Sequence, residues 1–196
     1  MEKIMPAFSR SDRERLLNQR SRVIWLCGLS SSGKTTIACS IELELNKQGY
    51  ITRLLDAENI RSGMNNDLGY SDDDRIENIR RVSEISRLFI DCGIICINSF
   101  ITPTEKIRNL ARGITGRENM IEIFVNAPIE VCEKRDVKGL YRQAREGKIK
   151  NFTGINSPFE PPPDPDVEIR TDKLSIAQSI EKCLDYILPA ISLNQK

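Results

Sequence analysis

The sequence predicts an α/β fold with a parallel five-stranded sheet flanked by helices. Short runs rich in isoleucine, leucine and valine alternate with helical patterns along most of the chain, which is typical of such sheets. The first run, 23–27, leads directly into a glycine- and serine-rich loop. Because ligands bind such sheets at the carboxyl ends of the strands, we expect the chemistry just after residues 27, 55 and 98.

The strands and helices are predicted from the period of the apolar residues. Strands are expected at 23–27, 51–55, 94–98, 121–125 and, less regularly, 167–169. Helices are expected at 35–47, from about residue 59, and at 72–91, 102–114 and 175–188, with Thr102-Pro103 opening the fourth of them. The pattern is clearest for 72–91, where Ser71 is a good N-cap, three aspartates suit the positive helix end and Gly93 follows the last turn.

The chain is expected to form one domain, 23–190, between an N-terminal extension, 1–22, and a C-terminal tail, 191–196. Within the domain, residues 135–160 are predicted to form a mobile lid, because basic residues cluster there and would neutralise the charge of bound phosphates. The prolines that follow exclude a central strand or a helix interior. The alternative is a solvated basic helix with a rigid proline linker.

Composition excludes several classes of function. The chain has 196 residues, 29 of them basic and 28 acidic, so that its formal charge of +1 predicts no nucleic-acid or membrane partner. The longest apolar runs are too short for a transmembrane helix. Since the chain has no histidine, any general base must be a carboxylate or a lysine.

Cysteine usage predicts a cytoplasmic protein. Six cysteines are scattered along the chain without a C-x-x-C pair, which favours reduced thiols over disulfides or a zinc site. The first 22 residues are rich in arginine and serine and lack the apolar segment of a secretory signal. We therefore expect no export signal.

The loop after the first strand carries a phosphate-binding motif. Gly28-Leu29-Ser30-Ser31-Ser32-Gly33-Lys34-Thr35 fits G-x-x-x-x-G-K-[ST] between a strand and a helix, and Thr36 follows it. The loop amides would wrap a phosphate chain, Lys34 would reach the β and γ phosphates, and Thr35 would hold Mg²⁺. This predicts a P-loop nucleoside triphosphate hydrolase fold whose loop binds the phosphates of a nucleoside triphosphate, with a plain glycine–serine turn as the alternative.

A carboxylate follows the second strand at the same edge of the sheet. Asp56 could hold Mg²⁺ through water, or accept a proton from an attacking hydroxyl. Its alternative role is only to cap the next helix. Thr35 and Asp56 are therefore the candidate metal-binding residues.

Residues 65–81 offer candidates for binding a second substrate. Arg75 and Asn78 lie three residues apart on the predicted helix, so they share a face that can present a guanidinium and an amide to one ligand. Tyr70 offers a ring on which a base could stack. An ordinary charged helix surface is the alternative, and spacing alone does not decide between them.

The segments 65–81 and 138–160, together with the loop, resemble adenylyl-sulfate kinases from about Ser9 to Leu188. The resemblance implies transfer of phosphate from ATP to the 3′-hydroxyl of adenylyl sulfate, giving 3′-phosphoadenylyl sulfate in sulfate assimilation. It also implies a homodimer, and ATP sulfurylase is a candidate partner, with the chain working alone as the alternative.

The resemblance assigns roles to individual positions. Asp56 and Lys34 would be catalytic, and Thr102 stands where the family usually has a serine described as a phosphorylated intermediate in some members. In-line transfer needs no such intermediate, so the backbone at 101–102 could serve the substrate without the hydroxyl. The implied acceptor-binding residues are Arg61, Tyr70, Arg75, Asn78, Ile101, Thr102, Lys138 and Phe152, with Tyr70 and Phe152 on the two faces of the adenine.

Several positions depart from the family pattern. Ser31 replaces a usual glycine, Ala57-Glu58 replaces Gly-Asp, Asn156 replaces Asp, and Thr104-Glu105 replaces an aromatic and a basic residue. These positions bear on rate and on the identity of the acceptor.

Three other functions are compatible with parts of the pattern. One is a kinase of the same fold that acts on a related nucleotide or a small alcohol, although two aromatic platforms favour a nucleobase. Another is a catalytically weak nucleotide-binding partner of a sulfate-activating enzyme, which the altered 56–59 motif suggests. A switch GTPase is disfavoured because the chain has no [NT]-K-x-D signature.

Overall fold

A computed structural model describes residues 8–193 and confirms the predicted fold. Five parallel strands form one sheet in the order β2-β3-β1-β4-β5. The strands are β1 Val23–Cys27, β2 Thr52–Asp56, β3 Ile95–Ser99, β4 Met120–Asn126 and β5 Val167–Arg170. The helices are α1 Arg10–Leu17, α2 Lys34–Lys47, α3 Ala57–Ser62, α4 Asp72–Asp91, α5 Glu105–Thr115, α6 Ile129–Lys134, α7 Leu140–Arg145 and α8 Ile176–Ile191, with a short 3₁₀ turn at Arg117–Asn119.

The central strand is buried on both faces. Alternate residues of β1 pack on one side against α2 and α8, and on the other side against α4 and α5. Every residue of β1 is buried, which explains why its sequence is continuously apolar rather than alternating. Each fully buried aliphatic side chain contributes about 1.5–3 kcal/mol, so this strand fixes the position of the loop that leaves it.

Parallel pairing brings the carboxyl ends of the strands to one edge. Asp56 at the end of β2 pairs with Ser99 at the end of β3, and Leu26 of β1 is also paired with Ser99. On the other side, Asn126 of β4 pairs with Arg170 of β5. The loops that follow these strands therefore meet at this edge.

The helix predicted to open at Thr102-Pro103 begins instead at Glu105. Thr102 has a positive φ of 46° and is therefore not helical. Thr104 is the N-cap, and its hydroxyl accepts a hydrogen bond from the backbone of Ile107. The prediction was wrong because the conformation of Thr102 is set by contacts with distant residues. By contrast, α4 has the predicted bounds, and Ser71 forms a capping box with Asp74.

The segment before the sheet contacts the amino ends of the strands. The Gln19 side chain donates to the carbonyls of Ile51, at 3.0 Å, and Gly93, at 2.8 Å, and accepts from the Ile51 amide. Gln19 also forms an antiparallel backbone bridge with Ser192. The division into extension, domain and tail stays a prediction, and residues 1–7 and 194–196 lie outside the described part.

Two further observations concern the whole described chain. Within residues 8–193, no helix combines the length and the apolar character needed to cross a membrane. The six cysteines are all free, and four of them are buried.

Candidate active site

A cleft of about 1060 Å³ opens at the carboxyl edge of the sheet. The phosphate loop, the ends of β2 and β3, helices α3 and α4, and the segment around 135–153 all contribute to its wall. Among the predicted site residues, those lining it are Ser30, Ser31, Gly33, Lys34, Thr35, Thr36, Asp56, Arg61, Tyr70, Arg75, Asn78, Ile101, Thr102, Lys138 and Phe152. Gly28, Leu29 and Ser32 do not line it, because they form the inner side of the loop or face the separate depression beside Gly154.

The phosphate loop depends on glycine at its first position. Gly28 has φ +148°, and a Cβ there would lie 2.3 Å from the carbonyl oxygen of Val125. Only glycine allows this close approach of β1 to β4. Ser31 has φ +58°, a conformation that favours glycine, so this departure from the family pattern places a strained residue in the loop.

Lys34 opens α2 and is almost fully buried, with 8% of its surface exposed. Its Nζ donates to the carbonyl of Leu29 at 2.6 Å. Burial lowers the pKa of Lys34 to about 8, since desolvation disfavours the cation. A phosphate chain bound in the loop would give the Lys34 ammonium group an anionic partner.

Thr35 and Asp56, the candidate metal-binding residues, are in direct contact. The Thr35 hydroxyl donates to Asp56 Oδ2 at 2.9 Å and lies 3.3 Å from the Ser99 hydroxyl. Asp56 Oδ1 accepts from the backbone of Glu58, so the carboxylate also caps α3. One carboxylate oxygen caps the helix and the other meets Thr35, so that capping leaves one oxygen for the predicted site role.

The oxygen donors at this point fit Mg²⁺. A hydroxyl and a carboxylate are hard ligands of the kind Mg²⁺ prefers, and it usually takes only one or two protein groups beside phosphates and water. Residues 8–193 contain no cluster of three or more histidine, cysteine, aspartate or glutamate side chains that could hold a metal without such help. The sparse donor set therefore suits a metal that arrives with a nucleotide.

Arg75 joins α4 to residues 151 and 153 of the basic segment. Its guanidinium donates to the Thr153 hydroxyl at 2.9 Å, to the carbonyl of Asn151, and to the carbonyl of Tyr70 at 3.2 Å. Burial lowers the pKa of Arg75, although an arginine stays protonated in proteins. Because none of its partners is acidic, its charge is available to an anion in the cleft.

Arg61 and Tyr70 stand together at the rim. The Arg61 guanidinium carbon lies 4.4 Å from the centroid of the Tyr70 ring, and Nη1 donates to the Gly69 carbonyl at 2.7 Å. Tyr70 is 62% exposed, so one face of its ring is free for stacking.

Asn78 is oriented from behind by a second asparagine. Asn78 is 4% exposed, and its Oδ1 accepts from Nδ2 of the fully buried Asn65 at 2.9 Å. This bond leaves the Asn78 amide nitrogen for the cleft.

The turn 101–103 forms another part of the cleft wall. Thr102 is 1% exposed, its hydroxyl accepts from Trp25 Nε1 at 2.8 Å, and it donates to the Phe100 carbonyl at 3.3 Å. Both hydrogen-bonding capacities of the hydroxyl are thus used inside the protein. The hydroxyl is therefore engaged inside the protein, although Thr102 itself lines the cleft.

The basic segment contributes fewer charges to the cleft than its sequence suggests. Of its six basic residues, Arg135 and Lys138 line the cleft, whereas Arg142, Arg145, Lys148 and Lys150 do not. Lys138 forms an ion pair with Glu58, both more than half exposed. Phe152 packs edge-on against Tyr141 with the ring centroids 4.9 Å apart.

Among the lining residues that were not predicted as site residues, Arg135 and Thr171 are joined by hydrogen bonds. Arg135 donates to the Thr171 hydroxyl at 3.0 Å and to its carbonyl at 2.7 Å, and the Thr171 hydroxyl donates to the Ser32 carbonyl. Thr171 follows β5 directly. The rule that ligands lie after the strands would have found it, had it been extended to the fifth strand.

The chain matches known proteins over most of its length. Residues 20–170 match the family model for adenylylsulphate kinase. The chain is 54% identical over 183 residues to the adenylyl-sulfate kinase of Bacteroides thetaiotaomicron, covering 93% of this chain and 91% of that one. It is 48% identical to adenylyl-sulfate kinase 3 of Arabidopsis thaliana, covering 82% and 77%.

A solved structure is similar as well. The APS kinase of Mycobacterium tuberculosis in complex with AMPPNP and APS superposes with a TM-score of 0.83 at 38% identity, covering 86% of this chain and 98% of that one.

Proposed function

The chain belongs to the adenylyl-sulfate kinase family, and we propose that it transfers the γ-phosphoryl group of ATP to the 3′-hydroxyl of adenylyl sulfate in sulfate assimilation. The products are 3′-phosphoadenylyl sulfate and ADP. The observation that carries this function is that one cleft holds both the phosphate loop and the Arg61, Arg75 and Asn78 set. A similar structure holds a non-hydrolysable ATP analogue and adenylyl sulfate together.

The donor side neutralises and orients the triphosphate. The loop amides and the N-terminus of α2 face the phosphates, and Lys34 exchanges its bond to the Leu29 carbonyl for phosphate oxygens. Thr35 and Asp56 would hold Mg²⁺, which when bound neutralises charge on the β and γ phosphates. These residues supply electrostatic stabilisation, the main contribution a protein makes to phosphoryl transfer.

Asp56 is proposed to orient the acceptor hydroxyl and receive its proton. As the bond from the 3′ oxygen to the γ phosphorus forms, the bond from that phosphorus to the oxygen of ADP breaks and the hydroxyl proton passes to the Asp56 carboxylate. The hydrogen bond from Thr35 holds the carboxylate at the cleft.

The acceptor side is proposed to recognise both ends of adenylyl sulfate. Arg61, Arg75 and Asn78 supply cations and an amide for the phosphosulfate and ribose. Tyr70 and Phe152 supply the two rings between which adenine stacks, and Lys138 adds a charge near the mouth of the cleft. We propose that Thr102 acts through its backbone and is not phosphorylated, because its hydroxyl is buried and bonded to Trp25.

Release of ADP with and without adenylyl sulfate tests this function. We expect ADP release from MgATP that depends on adenylyl sulfate, measured in a coupled assay. Turnover only with another nucleotide or a small alcohol would support a different acceptor. ATP binding without any turnover would support a nucleotide-binding partner of a sulfate-activating enzyme.

Asp56→Asn tests the proton acceptor without disturbing the fold. Asparagine also caps helices, so α3 should persist while kcat falls by about 100-fold or more. Glu84→Gln is the control, because Glu84 pairs with Arg87 at the surface of α4 and does not line the cleft, so that kcat should change by less than about threefold. A loss of helix content in Asp56→Asn, seen by circular dichroism, would assign the residue to folding alone.

Further proposals concern the location, the oligomeric state and the partner of the enzyme. A cytoplasmic location is supported by six free cysteines, and a homodimer and a partnership with ATP sulfurylase by the family resemblance.

The lid role of 135–160 is supported by the contacts of Arg75 with Asn151 and Thr153, which a mobile segment would break on opening. Light scattering and limited proteolysis with and without ATP test the dimer and the lid.

A further inference from the structure

A buried arginine stands behind the cleft and has no part in the reaction described above. Arg108 lies in α5 and is 2% exposed. Its Nε lies 3.8 Å from Glu122 Oε1, and Glu122 also accepts from Arg112. Burying a guanidinium is costly unless it is paired and hydrogen-bonded, so its contacts indicate what it is for.

Arg108 donates to two backbone carbonyls that belong to different segments. Nη1 bonds the Thr102 carbonyl at 3.3 Å and the Glu160 carbonyl at 2.7 Å. Thr102 is part of the turn that lines the cleft, and Glu160 lies where the basic segment ends. One buried cation therefore joins the acceptor wall to the end of the proposed lid.

The turn 101–103 contains a strained residue that has to be held in place by contacts such as the one from Arg108. Thr102 is β-branched and has a φ of 46°, a combination that is rare and costs on the order of 1–3 kcal/mol. Arg108 holds its carbonyl, and Trp25 holds its hydroxyl. A strained residue that is fixed from two sides, beside a substrate cleft, points to a backbone whose position matters for function.

The end of the basic segment is fastened to the same turn. The Glu160 amide donates to the Pro103 carbonyl at 2.8 Å, and its carboxylate accepts from the Glu105 amide at 2.7 Å. Phe159 stacks on Phe124 with the ring centroids 6.0 Å apart. Movement of the segment before residue 159 would therefore pivot about an anchor that Arg108 shares with the turn.

We propose that Arg108 is a positioning residue that sets the backbone of the turn 101–103 against the acceptor and ties it to the anchor of the lid. The inference rests on the proposed function, since it concerns the acceptor of that reaction. Arg108 does not line the cleft, and it acts through the carbonyls of Thr102 and Glu160.

Arg112 provides a matched control. It lies one turn further along α5, bonds the same Glu122 and is also largely shielded, but it makes no contact with the turn. Arg108→Lys and Arg112→Lys each keep a positive charge and lose the planar fork. Both variants alter a cation beside Glu122, and only Arg108→Lys alters a contact with the turn.

Steady-state kinetics of the two variants tests the proposal. For Arg108→Lys we expect KM for adenylyl sulfate to rise about tenfold or more, the effect of losing a charged hydrogen bond, while KM for ATP changes less than about twofold. Arg112→Lys should leave both KM values near those of the unaltered chain. Equal behaviour of the two variants would overturn the inference.

The single tryptophan supplies a second measurement. Trp25 is buried and bonded to Thr102, so its fluorescence should change when adenylyl sulfate is titrated against the full chain. The midpoint of that titration should rise by about tenfold in Arg108→Lys and stay in place in Arg112→Lys. An unchanged midpoint in both variants would contradict a role for Arg108 in acceptor binding.

Thr102→Gly covers the case in which Arg108→Lys does not fold. Glycine takes the positive φ without strain but does not hold the turn rigidly, so KM for adenylyl sulfate should rise while KM for ATP does not. An unchanged KM for adenylyl sulfate would overturn the proposal. No ADP release dependent on adenylyl sulfate in the unaltered chain would instead remove the proposed function, and the inference with it.

Discussion

The proposed donor side of the cleft is built from eight consecutive residues, whereas the proposed acceptor side is assembled from four separate segments of the chain. The loop Gly28–Thr35 is packed between β1 and α2, with Ser32 fully buried and Lys34 nearly so. The acceptor side exposes 62% of Tyr70 and pairs Lys138 with Glu58 at the surface. Its arginines are held mostly by backbone carbonyls.

This difference separates two ways of building a binding site. A site made from one buried loop is set by the strand and helix on either side of it, and it changes little when a surface segment moves. A site made from four segments takes shape only when those segments come together. We therefore expect damage on the donor side to abolish turnover, and damage on the acceptor side to weaken one substrate.

The largest effect should come from Lys34→Ala. Removal of this cation should lower kcat by about 100-fold or more, the usual cost of losing an electrostatic donor that acts in the transition state. The quantity to measure is acceptor-dependent ADP release, with Lys47→Ala on the exposed end of the same helix as the control. Wild-type turnover in Lys34→Ala would remove the loop from the donor role.

Arg75→Ala should affect one substrate only. Loss of a guanidinium that meets an anion costs about 1.5–3 kcal/mol, so KM for adenylyl sulfate should rise between about 10-fold and 150-fold. KM for ATP should change by less than about twofold. Arg80→Ala is the control, because Arg80 lies on the same helix and is paired with Glu77 at the surface. Equal loss of affinity for both substrates would move Arg75 out of the acceptor side.

Alkaline pH should weaken the donor side alone. In the ligand-free chain Lys34 has a pKa of about 8 and loses its proton above that pH, whereas the phosphates of ATP favour the protonated form. ATP affinity should therefore fall as pH rises through 8, by about tenfold per pH unit well above the pKa, with uptake of a proton on binding. Calorimetry in two buffers of different ionisation enthalpy measures that uptake.

Adenylyl sulfate serves as the internal control for this pH dependence. Arg75 stays protonated throughout the range, so acceptor affinity should be constant between pH 7 and 9. A parallel loss of both affinities would show that the pH acts on the whole cleft rather than on Lys34.

The smallest effect should come from relieving backbone strain. Ser31 in the donor loop and Asn151 in the basic segment both have φ near +58°. Ser31→Gly should stabilise the fold by up to about 1 kcal/mol, and Asn151→Gly should gain less because asparagine tolerates this conformation. Denaturant midpoints measure both changes. A lower midpoint for Ser31→Gly would mean that its side chain contributes more than its strain costs.

The elements with strong local signals could be predicted from the sequence. Helix α4 has the predicted bounds because Ser71, the aspartates and the apolar stripe all act within one segment. Helix α1 was not predicted, although Ser9 and Asp12 form a capping box that its pattern of residues allows. The start of α5 was wrong because Thr102 is held by Trp25 and Arg108, neither of which is its neighbour in the chain.

The residues of the candidate site also differ in whether a local signal in the sequence predicts them. The donor loop follows from a contiguous motif, and Asp56 from its place after a strand. Arg135 lines the cleft and donates to Thr171, the residue after β5, and no pattern in the basic segment distinguishes it from Arg145, which pairs with Glu133 instead. Which of several similar side chains faces a cleft is decided by the packing of distant segments.

The backbone bridge between Gln19 and Ser192 brings two segments from opposite ends of the sequence together. It joins the segment that follows α1 to the end of α8, beside the amino ends of β2 and β3, which lie opposite the cleft. A covalent cross-link between these two segments would be short and would cross none of the substrate paths. Such a cross-link should stabilise the fold against unfolding while the catalytic edge keeps its geometry.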